Sequence, residues 1–318
     1  MQKLTDKKIA VVGAGGVGGY MAGMLGRVCT HLSVAARGKR REALSEHGIV
    51  LHSDHNGEIV SRPERIVEIA ELGEQDYIFV CVKNYSLESV CKDLQPAVGR
   101  DTVIVPVMNG ADTGDRIRKF IGKGTVVDSL IYIVTFANED FSITQQGDFA
   151  NLRIGIQNAD DAQKRKIDEV SDILSAAGID HEKADDIETE IWRKYILNCA
   201  YNVETAFYDN TRGQLRDDPV KAKEYETLVE EAYHVAQAKG VSVTQGHIDR
   251  IINRFYKELA YGATSSLQRD VCSGRTSELE TFSGYIVREA DRLGVPAPLS
   301  RRMYEGLKEI CEGRRSQV

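Results

Sequence analysis

Short apolar runs alternate with amphipathic stretches along the first half of the chain. Ile9 to Val12 is a continuous apolar run of strand length, and His31–Ala36, Tyr77–Val82, Thr102–Met108 and Thr125–Val134 predict further strands. Asn56-Gly57 between Ile49-Val50-Leu51 and Glu58-Ile59-Val60 signals a hairpin. Glu139 to Gly155 is less regular, and Ala162–Ala177 has helical spacing closed by Gly178. After about Ala184 strand signals nearly vanish. Long helices are predicted over Ile187–Phe207, Val220–Lys239, Gly246–Leu259, Ser277–Leu293 and Leu299–Cys311, punctuated by Gly240, Gly294 and Pro296. The alternating half predicts a doubly wound α/β sheet over residues 1–184, with a ligand at its C-terminal edge. Residues 185–318 predict an all-helical domain, and the active site is expected in the cleft between the two.

The first strand runs into Gly13-Ala14-Gly15-Gly16-Val17-Gly18, and Tyr20 to Leu25 then reads as helix. Strand, G-x-G-x-x-G turn and helix in that order form a dinucleotide-binding, Rossmann-type unit. Gly13 makes the tight turn, Gly15 admits a pyrophosphate to the backbone, and Gly18 lets the helix pack on the strand. The helix N-terminus offers N–H groups and a positive dipole end to the phosphates. In an NAD site an acidic residue ends the second strand and holds the ribose 2′-hydroxyl. Here that position is Arg37, backed by Lys39, Arg40 and Arg41. A guanidinium fork suits a 2′-phosphate, so NADPH/NADP+ is favoured. Arg40 and Arg41 read as a solvated basic helix start.

Composition narrows the class. The 318 residues are 42% hydrophobic and 28% charged, ordinary for a globular protein. A net charge of −7 and the lack of a basic stripe argue against nucleic acid. Apolar runs are too short to span a bilayer. The polar start Met1–Lys8 leads straight into the first strand and leaves no room for a signal peptide. Cys29, Cys81, Cys91, Cys199, Cys272 and Cys311 form no C-x-x-C pair and read as buried free thiols of a reducing compartment, by default the cytoplasm.

Several residues are placed for chemistry. Lys194, Asn198 and Asn202 fall at i, i+4 and i+8 of a largely apolar helix, so they share a face. They line either a polar ligand or a solvated stripe, and spacing does not choose. Lys83 in Lys83-Asn84-Tyr85, and Asn109-Gly110, follow strand ends where an open sheet binds ligands; each alone also reads as an ordinary loop cation or turn. Ser265 with Gln268, and Ser277 with Glu280, fit capping boxes, which gives Ser266 and Glu278 a purely structural reading. His52 and His55 flank a polar turn without further ligands nearby, so no metal site is expected, and no nucleophilic triad stands out.

The ordered set resembles the ketopantoate reductases (2-dehydropantoate 2-reductases) over nearly the whole chain. It comprises GAGGVGG at Gly13–Gly19, Arg37, Lys83 in VKNY, Asn109-Gly110, Trp192-Arg193-Lys194 with Asn198 and Asn202, and the SS-LQRD…SELE segment with Ser266 and Glu278. The resemblance implies a Rossmann domain followed by a helical domain of the 6-phosphogluconate dehydrogenase C-terminal type. It implies NADPH as hydride donor and a small-molecule 2-keto acid as acceptor, ketopantoate first, in pantothenate and coenzyme A synthesis. Lys194 then corresponds to the catalytic lysine and Glu278 to the partner of the substrate hydroxyl. Asn109 bridges cofactor and substrate, Asn198, Asn202 and Ser266 hold substrate, and Lys83 lies by the nicotinamide. A homodimer is compatible with this.

Four positions depart from the family pattern: Val203 in place of a proline, and Arg212, Ala263 and Ser283 in place of asparagines. They sit on the substrate side and bear on the acceptor more than on the reaction. Two other readings stay open. One is a reductase of another keto or imino acid, whose second carboxylate Arg212 would pair. The other is a non-catalytic NADP(H)-binding redox sensor, against which the retained Lys194 and Glu278 argue.

Overall fold

The computed structural model describes residues 4–258 and 260–315. Met1–Lys3 of the polar start, and Leu259 at the end of the helix predicted over Gly246–Leu259, lie outside the described residues. The chain forms two compact units, Met1–Ile187 and Glu188–Val318.

The first unit runs β1 (Leu4–Val12), α1 (Gly16–Leu25), β2 (Cys29–Ala35), α2 (Gly38–His47), β3 (Ile49–Ser53), β4 (Gly57–Ser61), β5 (Arg65–Val67) and β6 (Gln75–Val80). It continues with α3 (Leu87–Leu94), β7 (Val98–Pro106), α4 (Thr113–Ile121), β8 (Thr125–Val126), β9 (Asp128–Ala137), β10 (Ile143–Gly155), α5 (Asp161–Ala177) and β11 (Asp180–Lys183). Six strands make a sheet in the order β5-β2-β1-β6-β7-β8, with every neighbouring pair parallel. Such a sheet is covered on both faces, which is why its strands are near-continuous apolar runs. Ile9 and Val11 enter one core with α1 and α5, while Ala10 and Val12 enter another with α3 and α4.

The Rossmann-type sheet is present, but the unit holds a second sheet that the alternation did not predict. Its order is β11-β10-β3-β4, with β9 antiparallel to β10. The run Thr125–Val134 therefore divides at Val127: β8 joins the first sheet and β9 the second. The irregular stretch is the long strand β10. Its pattern is broken by a register shift between Gln146 and Asn151. There the buried Gln145 amide donates to the carbonyls of Gln146 (2.9 Å), Gly147 (2.8 Å) and Phe149 (3.1 Å). A polar side chain thus occupies the core side because the bulge needs donors. The hairpin forms, with Ser53 paired to Gly57 across Asp54-His55-Asn56 and Gly57 at φ 78°.

The second unit is helical: α6 (Ile187–Tyr208), α7 (Arg212–Asp217), α8 (Pro219–Ala238), α9 (Gln245–Lys257), α10 (Ser266–Cys272), α11 (Tyr285–Leu293) and α12 (Pro298–Arg315). The helix predicted from Ser277 is instead a π-helical turn over Glu280–Gly284 that leads into α11. Ser277 caps nothing there, and its hydroxyl lies 3.9 Å from the Cys311 sulfur. Ser265 does cap α10, accepting from the Gln268 amide at 3.1 Å. All six cysteines are free thiols, but Cys272 is exposed and Cys311 half-buried rather than buried. Among the described residues no helix is long and apolar enough to cross a membrane.

Candidate functional site

The first unit carries the glycine turn. Gly13 has φ 93°, a left-handed conformation that a side chain would strain. A Cβ on Gly18 would fall 1.7 Å from the Gly13 carbonyl oxygen, whereas one on Gly15 would meet nothing within 4 Å. The turn is therefore closed on its helix side and open at Gly15, a cradle a methyl group would fill. Gly15 caps α1 without a side-chain hydrogen bond, so the first-turn amides of Gly16, Val17 and Gly18 face the space a phosphate needs. On this geometry the residues fit a dinucleotide.

Arg37 lies two residues beyond the end of β2, exposed, at the N-cap of α2. Arg40 and Arg41, read from the sequence as a solvated helix start, are half-buried and each has a partner. Arg40 Nη1 donates to the Ala14 carbonyl at 2.6 Å, and the guanidinium lies 5.0 Å from the Phe141 ring centroid. Arg41 pairs with Glu71 at 3.1 Å and Glu68 at 3.6 Å. Arg40 thus braces the glycine turn. One helical turn from Arg37 places it there, a signal the sequence contained.

The two strand-end loops are joined by a residue the motifs did not single out. Lys83 is exposed at the start of the turn Asn84–Ser86, and Asn109 is half-buried before Gly110, at φ 116°. Asn84 is buried, and its amide donates to the Asn109 carbonyl. Arg116 Nη1 donates to Asn84 Oδ1 at 2.9 Å and Nη2 to its carbonyl at 3.3 Å. Asn84 and Arg116 therefore fix Lys83 and Asn109 on one rim. The two histidines have local acidic partners: His52 lies 2.5 Å from Glu58 and His55 2.9 Å from Asp180.

In the second unit, α6 is buried through Trp192, Tyr195, Ile196, Cys199, Ala200 and Asn202, while Lys194, Asn198 and Tyr201 are half-buried along its open face. Glu278 is only 5% exposed. Burial pulls the Lys194 ammonium down to about 8, against the Glu278 carboxylate, which pushes it up. Local packing holds these two groups. The Tyr195 hydroxyl donates to the carbonyls of Thr281 (2.6 Å) and Phe282 (3.0 Å) in the π-turn after Glu278, and Trp192 meets the Tyr195 ring edge-on at 5.4 Å. A π-turn leaves its carbonyls without ordinary helical partners, and the tyrosine supplies one. Asn202 turns inward rather than to the open face, because its Oδ1 accepts from Ser266 Oγ at 3.2 Å and the Leu267 amide at 3.4 Å. Its Nδ2 is the donor it can offer. Lys194, Asn198, Asn202, Ser266 and Glu278 all lie in this unit, and Gly13–Gly18, Arg37, Lys83 and Asn109 in the other.

Comparison with known proteins gives the same division. The description "Ketopantoate reductase PanE/ApbA" matches residues 9–159, and "Ketopantoate reductase PanE/ApbA C terminal" matches residues 186–311. The chain is 27% identical to the uncharacterized oxidoreductase YkpB of Bacillus subtilis, covering 95% of this chain and 98% of that one. It is 28% identical to a 2-dehydropantoate 2-reductase of Mesorhizobium japonicum, over 90% and 92% of the two chains. A crystal structure of a PanE/ApbA family ketopantoate reductase from Ralstonia eutropha JMP134 superposes with a TM-score of 0.88 at 25% identity, covering 97% of this chain and 99% of that one.

Proposed function

This chain belongs to the ketopantoate reductase family, and from that premise we propose that it reduces 2-dehydropantoate or a closely related 2-keto acid to the 2-hydroxy acid, as a step toward pantothenate and coenzyme A. The family's enzymes are NADP-dependent oxidoreductases acting on CH–OH groups. The observation that carries the reading is Lys194: an ammonium held near neutrality by burial, beside a buried carboxylate, on the open face of α6.

NADPH bound at the glycine turn supplies hydride to the keto carbon. The chain's own residues do the rest. Gly13, Ala14, Gly15, Gly16, Val17 and Gly18 take the pyrophosphate, Arg37 the 2′-phosphate, and Lys83 and Asn109 line the nicotinamide side. Lys194 stabilises negative charge growing on the carbonyl oxygen and delivers a proton to it. Glu278 holds the substrate hydroxyl and balances the ammonium. Asn198, Asn202 through Nδ2, and Ser266 orient the acid.

The assay is NADPH oxidation with 2-dehydropantoate and a panel of 2-keto acids; turnover with none of them removes this reading. Arg37→Ala is expected to raise KM for NADPH by roughly tenfold or more, the worth of a charge-assisted contact, and to leave NADH unchanged. Equal losses for both cofactors would remove Arg37 from the 2′-phosphate. The pH profile has a definite sign. Lys194 must carry its proton, so kcat falls as pH rises through about 8. Glu278→Gln removes the charge that supports the ammonium, so the alkaline limb is expected at lower pH; a limb that stays in place excludes Lys194 as its source.

A further inference from the structure

We propose that Arg212 forms a subsite for a second carboxylate, so that a 2-keto dicarboxylic acid is taken in preference to its monocarboxylate analogue of the same chain length. The inference rests on the reductase reading for the keto group, while the subsite stands on its own geometry. Arg212 is 2% exposed, and its Nε and Nη1 are buried without a hydrogen-bond partner among the described residues. A buried guanidinium is normally paired, because an unmet charged donor is among the costlier defects of a fold. The titratable groups acting on it are Tyr201, Tyr225, Arg254 and Arg216, with no carboxylate among them. Glu204 is not its counterion: it is wholly buried with both oxygens unpartnered, and burial, with Glu224, pushes it up to about 9, so it is neutral at pH 7.

The place of Arg212 connects it to the catalytic face. Its guanidinium lies over the Tyr201 ring, 4.2 Å from the centroid. Tyr201 follows Lys194 at i+7 and Asn198 at i+3, on the same open stripe of α6. Lys194 and Tyr201 are about 10 Å apart along the helix, a span their long side chains and a short dicarboxylate bridge. Tyr225 adds a third donor: its hydroxyl is also buried and unpartnered, and its ring is fixed by stacking on Phe255 at 3.9 Å. The backbone of Arg212 is pinned by its N–H, which donates to the Ala263 carbonyl at 3.0 Å. Two N–H groups of one guanidinium and a phenol suit a planar carboxylate.

The test is calorimetric binding of 2-hydroxyglutarate and of 2-hydroxyvalerate, which lacks only the distal carboxylate, to protein saturated with NADP+. The dicarboxylate is expected to bind roughly 10- to 100-fold tighter. The preference should vanish in Arg212→Met and persist in part in Arg212→Lys; Arg212→Gln replaces Met if that variant does not fold. Equal affinity, no binding of the dicarboxylate, or a preference that survives loss of the charge overturns the subsite. Turnover of NADPH with 2-ketoglutarate and 2-dehydropantoate is followed in parallel. No turnover with an intact binding preference removes the reductase reading and keeps the subsite, and turnover without the preference does the reverse.

Discussion

Lys194→Ala is expected to lower kcat by about 10³-fold, within the range that a positioned general acid contributes. The variant removes both the proton and the positive charge at the carbonyl oxygen, and leaves Glu278 buried without its cation. That second effect lowers stability as well, so loss of rate must be separated from loss of fold. Lys194→Ala combined with Glu278→Gln restores the charge balance; its melting temperature should recover while its rate does not. Lys194→Arg keeps the charge but holds its proton too tightly to deliver it, and should bind NADPH normally with kcat still down by a large factor. Steady-state rates and cofactor titrations on the three proteins decide the matter. A kcat within a few-fold of wild type in Lys194→Ala would place the proton elsewhere.

The second large effect is expected at the glycine turn, where two substitutions should fail differently. In Gly18→Ala the new methyl falls 1.7 Å from the Gly13 oxygen, 2.9 Å from the Gly13 carbon and 3.0 Å from Cys81 Cβ. Its nearest neighbours are backbone, so α1 must lift from β1. A cost of about 3 kcal/mol or more follows from overpacking at a site that cannot yield, together with loss of NADPH binding. In Gly15→Ala the methyl meets no protein atom within 4 Å, so the fold should keep its melting temperature. The same methyl occupies the phosphate space, so NADPH affinity should still collapse. Thermal denaturation without cofactor, paired with NADPH titration, reads both. A Gly15→Ala protein that binds NADPH at wild-type strength would show that the pyrophosphate does not lie on this turn.

The parts of this molecule that repeat a regular pattern were legible in the sequence, and the parts that break one were not. β1, the glycine turn and α1 announce themselves because burial on both faces demands an unbroken apolar strand, and close helix packing demands Gly18. The second sheet was hidden by Gln145 and the bulge it serves, since a buried amide reads as a solvated residue. The division of Thr125–Val134 between two sheets was hidden because one apolar run serves both. The π-turn at Glu280–Gly284 broke the predicted helix, because its stability comes from the Tyr195 hydroxyl, 86 residues away in sequence. In the same way the stripe of Lys194 and Asn198 was visible as spacing, but Asn202 turned out to face Ser266. Asn84 and Arg116 gave no signal, because their importance is a contact between two loops.

The buried carboxyl of Glu204 makes folding of the second unit a protonation reaction. Its pKa rises from 4.5 in the open chain to about 9 in the folded unit. Between those values the folded form holds a proton that the unfolded form has released, so folding takes one up. The stabilisation present below 4.5 is then lost by about 1.4 kcal/mol for each pH unit up to 9. Lys194 has the opposite sign: its pKa falls from 10.5 to about 8, so above 8 folding releases a proton and gains stability as pH rises. Between pH 4.5 and 8 Glu204 alone acts of the two, and between 8 and 9 their contributions cancel, so the pair leaves folding nearly indifferent to pH in the range where the proposed general acid titrates.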